Sequence, residues 1–219
     1  MSAALDSLLA EIRACRICRD APRYGAALPH EPRPVIQASS EARLCIAGQA
    51  PGIRVHRSGR PFSDPSGVRL RGWLGIGEDV FYDANKVAIV GMGCCFPGLD
   101  ADGGDLPPRR ECAETWRNRI FGQMPKIELM LLIGQYAQKW HLGAQVLGSG
   151  MTGTVARWRE IYAGESRPRM LALPHPSWRN SGWLKRNPWF ETDLLPVLRA
   201  DVARLLGESD QSNASRSDR

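Results

Sequence analysis

Long apolar runs are missing from this sequence. None approaches the roughly 20 residues needed to cross a bilayer, so no membrane span is expected. The N-terminus also lacks the continuous apolar block of a secretion signal, and a cytoplasmic location is expected. No internal repeat is visible. Lysine is scarce: arginine carries most of the 29 basic charges, set against 23 acidic ones for a net of +6. An arginine-rich excess suits forked contacts to phosphate, and nucleic acid is the commonest polyanion such a surface meets. Many mildly basic proteins bind none, so charge alone leaves the two readings level. At 219 residues the chain fits a single domain with room for a sizeable core.

Apolar residues come instead in short pieces. Leu5, Leu8, Leu9 and Ile12 recur at helical spacing and predict an opening amphipathic helix, whose period runs on to Cys15 with Cys18 one turn later. A proline-rich connector follows (Pro22, Pro29, Pro32, Pro34). Four apolar runs then appear, RLCIA, VAIVGM, LMLLIG and MLALP, separated by segments of helical character around 68–76, 112–121 and 135–142. Short continuous apolar strands alternating with helices predict an α/β fold, a parallel sheet covered by helices on both faces. Asn187 and Pro188 predict the N-cap and first residue of a last helix, in which Pro196 should cause a kink or a restart. The folded domain is expected over 1–206, with 207–219 a polar, disordered tail.

In such sheets ligands bind beyond the carboxyl ends of the strands. The loops there begin GQAPG, GCCFPG, GQYAQ and PHPSWRN. The first, Gly48 to Gly52, has the shape of a ligand cradle but contains no acid, histidine or lysine. In the last, His175 stands between two prolines, held where it could stabilise a developing anion. Ser177 can bond a phosphate oxygen, and Trp178 with Arg179 sets an aromatic wedge beside a cation. The plainer alternative is a histidine in a surface turn. In SGRPFSDPSG, residues 58–67, Phe62 has turn residues on both sides, as a stacking platform for a planar ring would. Asp64 is placed to cap the helix that begins near Ser66.

Six cysteines in a reducing compartment point to metal binding or catalysis rather than disulfides. Cys45 lies inside the RLCIA strand and reads as core. Cys15-x-x-Cys18, with Cys95 and Cys112 from a later loop, supplies four thiolates, enough for an iron–sulfur cluster or for zinc.

In this order, GQAPG, GRPF, CxxC with a later cysteine pair, and LPHPS resemble the uracil-DNA glycosylase superfamily, most of all its iron–sulfur branches, families four and five. The resemblance covers about residues 10–205. It implies a single α/β domain with a central four-stranded parallel sheet between helices, and a nucleotide flipped into a pocket at the strands' carboxyl ends. The implied chemistry is hydrolysis of the N-glycosidic bond, leaving an abasic site; flipping is needed because the glycosidic carbon is out of reach within the duplex. By resemblance, His175 bonds the base O2 and stabilises the leaving anion, the backbone of Gln49 and Ala50 meets the same base edge, and Phe62 stacks on the base. Ser177 bonds a phosphate, while Trp178, Arg179 and Asn180 open the loop that fills the emptied stack. Cys15, Cys18, Cys95 and Cys112 hold a [4Fe–4S] cluster apart from the pocket, Cys95 being preferred to Cys94 because it precedes an x-Pro pair. The implied partner is DNA carrying uracil or another deaminated base, and the protein is expected to be a monomer.

Two departures refine the expectation. Family one carries an aspartate in GQDPY where this chain has Ala50, and family four a glutamate where it has Gln49. Family five instead places its catalytic aspartate in a D-x-S-G context after GR-x-F, which Asp64-Pro65-Ser66-Gly67 matches, and this moves Asp64 from cap to water activation or oxocarbenium stabilisation. Many members read the base with an asparagine from the second strand; Gly91 stands there, implying looser selectivity that extends to hypoxanthine or xanthine. Two rivals remain: a non-excising binder of abasic sites on the same fold, and a metalloprotein using its cysteines for zinc or redox work.

Overall fold

The computed structural model describes residues 2–207, so all of the expected tail except Gly207 lies outside the described residues. The four apolar runs form four strands: β1 (Leu44–Ala47), β2 (Val87–Ile89), β3 (Leu129–Ile133) and β4 (Arg169–Leu173). They pair in parallel in the order β2-β1-β3-β4. The expected α/β architecture, a single parallel sheet flanked by helices, is the one observed.

Alternate residues within each run part to opposite faces, because side chains of a strand repeat every second residue. Leu44, Ile46, Val87, Ile89, Leu129 and Leu131 join a core with the helices Pro65–Leu74 and Leu195–Leu206. Cys45, Ala47, Ala88, Met130 and Leu132 join another with the helices Ala3–Arg13 and Arg110–Gly122. Burial on both sides explains why the strands are continuous apolar runs rather than alternating ones. Cys45 is core as expected, fully buried, and burial pushes its thiol up to about 12.

After β1 the chain crosses to β2 on one side, then returns to place β3 on the other side of β1. The loops leaving the carboxyl ends of the strands therefore diverge, and a crevice opens between them.

Two local expectations are corrected, and a third is narrowed to one of its two outcomes. The first helix ends at Arg13 and does not carry Cys15; the Cys15 N–H bonds Ile12 O in a tightened last turn, and Cys18 lies on a separate short helix, Ile17–Asp20. Arg16 between them leaves helical geometry and pairs with Asp20 and Glu31. Asn187 does not cap a helix through its side chain: its Nδ2 donates to Trp183 O and its Oδ1 accepts from Trp189 Nε1. The last helix restarts rather than kinks. A π-helical turn over Phe190–Leu194 passes into Leu195–Leu206, with Pro196 in the first turn, where its missing N–H interrupts no α-helical bond.

Candidate active site

The loops after β1, β2 and β4 line a cleft. Met92 N–H donates to Gly48 O at 3.0 Å and Gly93 N–H to Gln49 O at 2.9 Å, zipping the loop after β1 to the loop after β2. Gln49 extends its side chain over Gly134, after β3; a Cβ on Gly134 would sit 2.4 Å from Gln49 Nε2, and its φ of +81° also favours glycine. At Gly91 a Cβ would meet Gly93 O at 2.6 Å, so the position corresponding to the asparagine reader of related glycosylases has no room for a side chain. Gly91 O accepts instead from Arg117 Nη1 at 2.8 Å. Arg117 is 1% exposed, and burial lowers it to about 10, so it remains a cation at neutral pH. Its Nη2 meets His141 Nε2, and burial together with that cation lowers His141 to about 3. His141 is therefore a neutral acceptor.

Phe62 is the one non-glycine residue at positive φ among the described residues, at 50°. Tyr82 Oη lies 3.0 Å from Pro61 O and 3.1 Å from Phe62 O and fixes the turn. Gly67 packs beneath it so closely that a Cβ would lie 1.8 Å from Phe62 O. The Phe62 ring is thereby laid against Gly48, within 3.6 Å of where a Cβ would stand. A strained backbone that presents an aromatic to a cleft is the arrangement expected where function is placed above local comfort.

Asp64 caps the helix Pro65–Leu74: its Oδ1 accepts from Gly67 N–H at 3.3 Å and from Ser66 Oγ at 2.5 Å. The cap reading is thus correct, and the same side chain also lines the cleft. Both bonds end on Oδ1, which leaves Oδ2 for another donor.

The cleft measures about 610 Å³ with its open mouth. Of the candidates, it brings together Gln49, Ala50, Phe62, Asp64, Gly91 and His175. His175 is held from behind, its carbonyl accepting from Asn180 Nδ2 at 2.7 Å. Burial lowers the His175 pKa, with Asp64 only partly opposing, so the imidazole is neutral and can donate an N–H. Ser177, Trp178, Arg179 and Asn180 lie outside the cleft lining. Trp178 is 74% exposed on a single turn, Trp178–Asn180, that Ser177 Oγ caps by accepting from Arg179 N–H.

Three contributors were missed by the sequence reading. Arg69 braces the Trp178 turn, donating to Ser177 O at 2.9 Å and to Ser181 Oγ at 3.1 Å. Arg117 supports the β2 end, and Asp105 lines the cleft from the β2–β3 loop. A lone arginine in a helix gives no signal of its target. Asp105, in the loop after the second strand, was findable from position alone.

A second, narrow cavity, about 420 Å³ only when the open solvent at its mouth is counted, is walled by Cys15, Cys18, Cys95 and Cys112, with Cys94 beside them. Burial pushes the Cys18 and Cys95 thiols up to about 12, while Cys112 is pulled down by hydrogen bonds from the Cys94 thiol and backbone N–H, the latter 3.2 Å from its sulfur. Among the described residues no three His, Cys, Asp or Glu side chains converge closely enough for a single metal ion. The cavity is not remote from the cleft, because Gly93 lines both.

The architecture defines an α/β domain whose ligand crevice lies at the carboxyl edge of a parallel sheet. The family model of the uracil DNA glycosylase superfamily matches residues 36–199. The chain belongs to this superfamily, and membership supports a DNA-glycosylase-type function in DNA repair and contact with DNA. The match begins after Cys15 and Cys18, so it takes in only two of the four candidate ligands. No helix among the described residues is long and apolar enough to cross a membrane.

Proposed function

We propose that the protein is a monofunctional glycosylase that hydrolyses the N-glycosidic bond of uracil in DNA, with hypoxanthine or xanthine as further substrates. The observation that carries this reading is the meeting of Asp64, Phe62 and His175 around one cleft floored by the GQAPG backbone. A flipped base would stack on Phe62, with the backbone of Gln49 and Ala50 along its edge. The bond to nitrogen breaks with its electron pair leaving on the base, and the neutral imidazole of His175 stabilises that anion by donating an N–H. Asp64 balances the positive charge growing on the sugar and orients the water that attacks C1′. The absence of a side chain at Gly91 supports a broader base range. Trp178 and Arg179 would occupy the gap in the stack, with Ser177 on the phosphate.

The reading extends to a [4Fe–4S] cluster held by Cys15, Cys18, Cys95 and Cys112. Four thiols around one cavity fit a multi-atom cluster, whereas zinc would need four sulfurs about 2.3 Å from one point. Bound there, the cluster supplies a cross-link between the N-terminal segment and the loop after β2.

Excision of uracil from a labelled duplex, read by alkali cleavage, tests the reading. Asp64→Asn and His175→Ala should each lower the single-turnover rate by about 10²–10⁴-fold. Asparagine also caps helices well, so the first variant keeps its fold. Wild-type rates in both would sink the assignment of roles. Hypoxanthine, xanthine and thymine duplexes in the same assay define the base range. The commitment of Asp64 Oδ1 to its helix favours one second reading, a protein that holds abasic sites without excising a base. Tight binding to an abasic duplex with no excision of any base would establish it.

A further inference from the structure

The cleft contains a second carboxylate, and its loop is built to hold it there. Gly98 to Leu106 folds back on itself: Leu106 N–H donates to Gly98 O at 2.9 Å, Asp100 N–H to Gly104 O at 2.8 Å, and Leu99 bridges Asp105 in antiparallel fashion. Asp100 is the hub, its Oδ1 accepting from Asp102 N–H at 3.0 Å and from Gly104 N–H at 2.7 Å. The loop delivers Asp105 to the cleft over the end of the GQAPG cradle, where a Cβ on Gly52 would lie only 3.2 Å from Asp105 Oδ2.

We infer that Asp105 is a second catalytic carboxylate, sharing with Asp64 the activation of the attacking water. The inference rests on the glycosylase reading above and deepens it. Asp64 spends one oxygen on its helix. Asp105 has no such duty, opens to solvent on its outer side and faces the same cleft. In the step assigned to it, the water oxygen bonds C1′ and the water proton passes to a carboxylate. The C1′–N bond breaks with its electron pair leaving on the base, which later takes a proton from solvent. The charged groups that act on Asp105 are Asp64, Asp100 and Arg179, with His175 on the cleft wall. Partial burial and the two aspartates raise its pKa, against the pull of Arg179, so it loses its proton later than a free aspartate. A carboxylate in that state is a stronger base once ionised.

The test is single-turnover excision of uracil from about pH 5 to 9 by wild type, Asp105→Asn, Asp105→Ala, Asp64→Asn and the double asparagine variant, with duplex affinity and thermal midpoint measured in parallel. Asp105→Asn should lose about 10–100-fold in rate with little change in affinity or midpoint, and the acid limb of its pH profile should move. The double variant should fall below either single one. If both Asp105 variants keep the wild-type rate and pH profile while Asp64→Asn is inactive, Asp64 acts alone and the inference is wrong. If wild type excises no base, the glycosylase reading fails and takes this inference with it.

Discussion

Arg117 and His141 show how one buried charge dictates the state of its neighbour. The cation is fixed by the carbonyls at the end of β2, and the imidazole beside it is denied a proton by burial and by that charge. An unfolded histidine takes up its proton near pH 6.5, whereas native His141 refuses it until about pH 3. Between these values the unfolded chain binds more protons than the native one, so stability falls as pH drops through the window. His175 is shifted in the same direction and adds to the effect. His141→Gln keeps an acceptor for Arg117 but cannot titrate, and it should flatten the dependence; urea midpoints measured between about pH 4 and 7 check this. Sequence reading had no access to this pair, because 24 positions separate them and neither residue belongs to a recognisable pattern.

At the scale of elements, the strands were legible because a sheet buried on both faces needs unbroken apolar runs, and RLCIA and LMLLIG are such runs. The GRPF–DPSG turn was legible as a motif, but its mechanics were not. Phe62 adopts its strained backbone only because Gly67 leaves room for its carbonyl, and Tyr82 then holds the turn. Gly67→Ala should therefore destabilise the protein by about 2 kcal/mol or more and withdraw the Phe62 shelf from the cleft. Thermal unfolding and excision rates together report it; an unchanged midpoint would show that the turn yields without cost. The first helix ends before Cys15 although Cys15 continues its apolar period, because the backbone tightens after Arg13 and leaves helical geometry at Arg16. The fold of the β2–β3 loop depends on Asp100 gathering the nearby amides of Asp102 and Gly104, a pattern that composition does not announce.

For the molecule as a whole, the cysteine cavity is the feature with the widest reach. It gathers the N-terminal segment, the β2–β3 loop and the helix Arg110–Gly122. Protein purified without oxygen should be brown and absorb near about 400 nm. Cys95→Ser should bleach it and lower the thermal midpoint, while Cys94→Ser should leave the colour; the reverse pattern would reassign the ligand. The candidate ligands and the cleft residues were legible separately, but not their nearness, because Cys95 and His175 stand 80 positions apart in the chain. Between the two compartments stands Gly93, a partition with no side chain on either surface. Its amide is already tied to Gln49, so the party wall is hung from the cradle itself. A change in one compartment should therefore reach the other as a shift of main chain, so oxidation of the thiols is expected to lower excision together with the thermal midpoint.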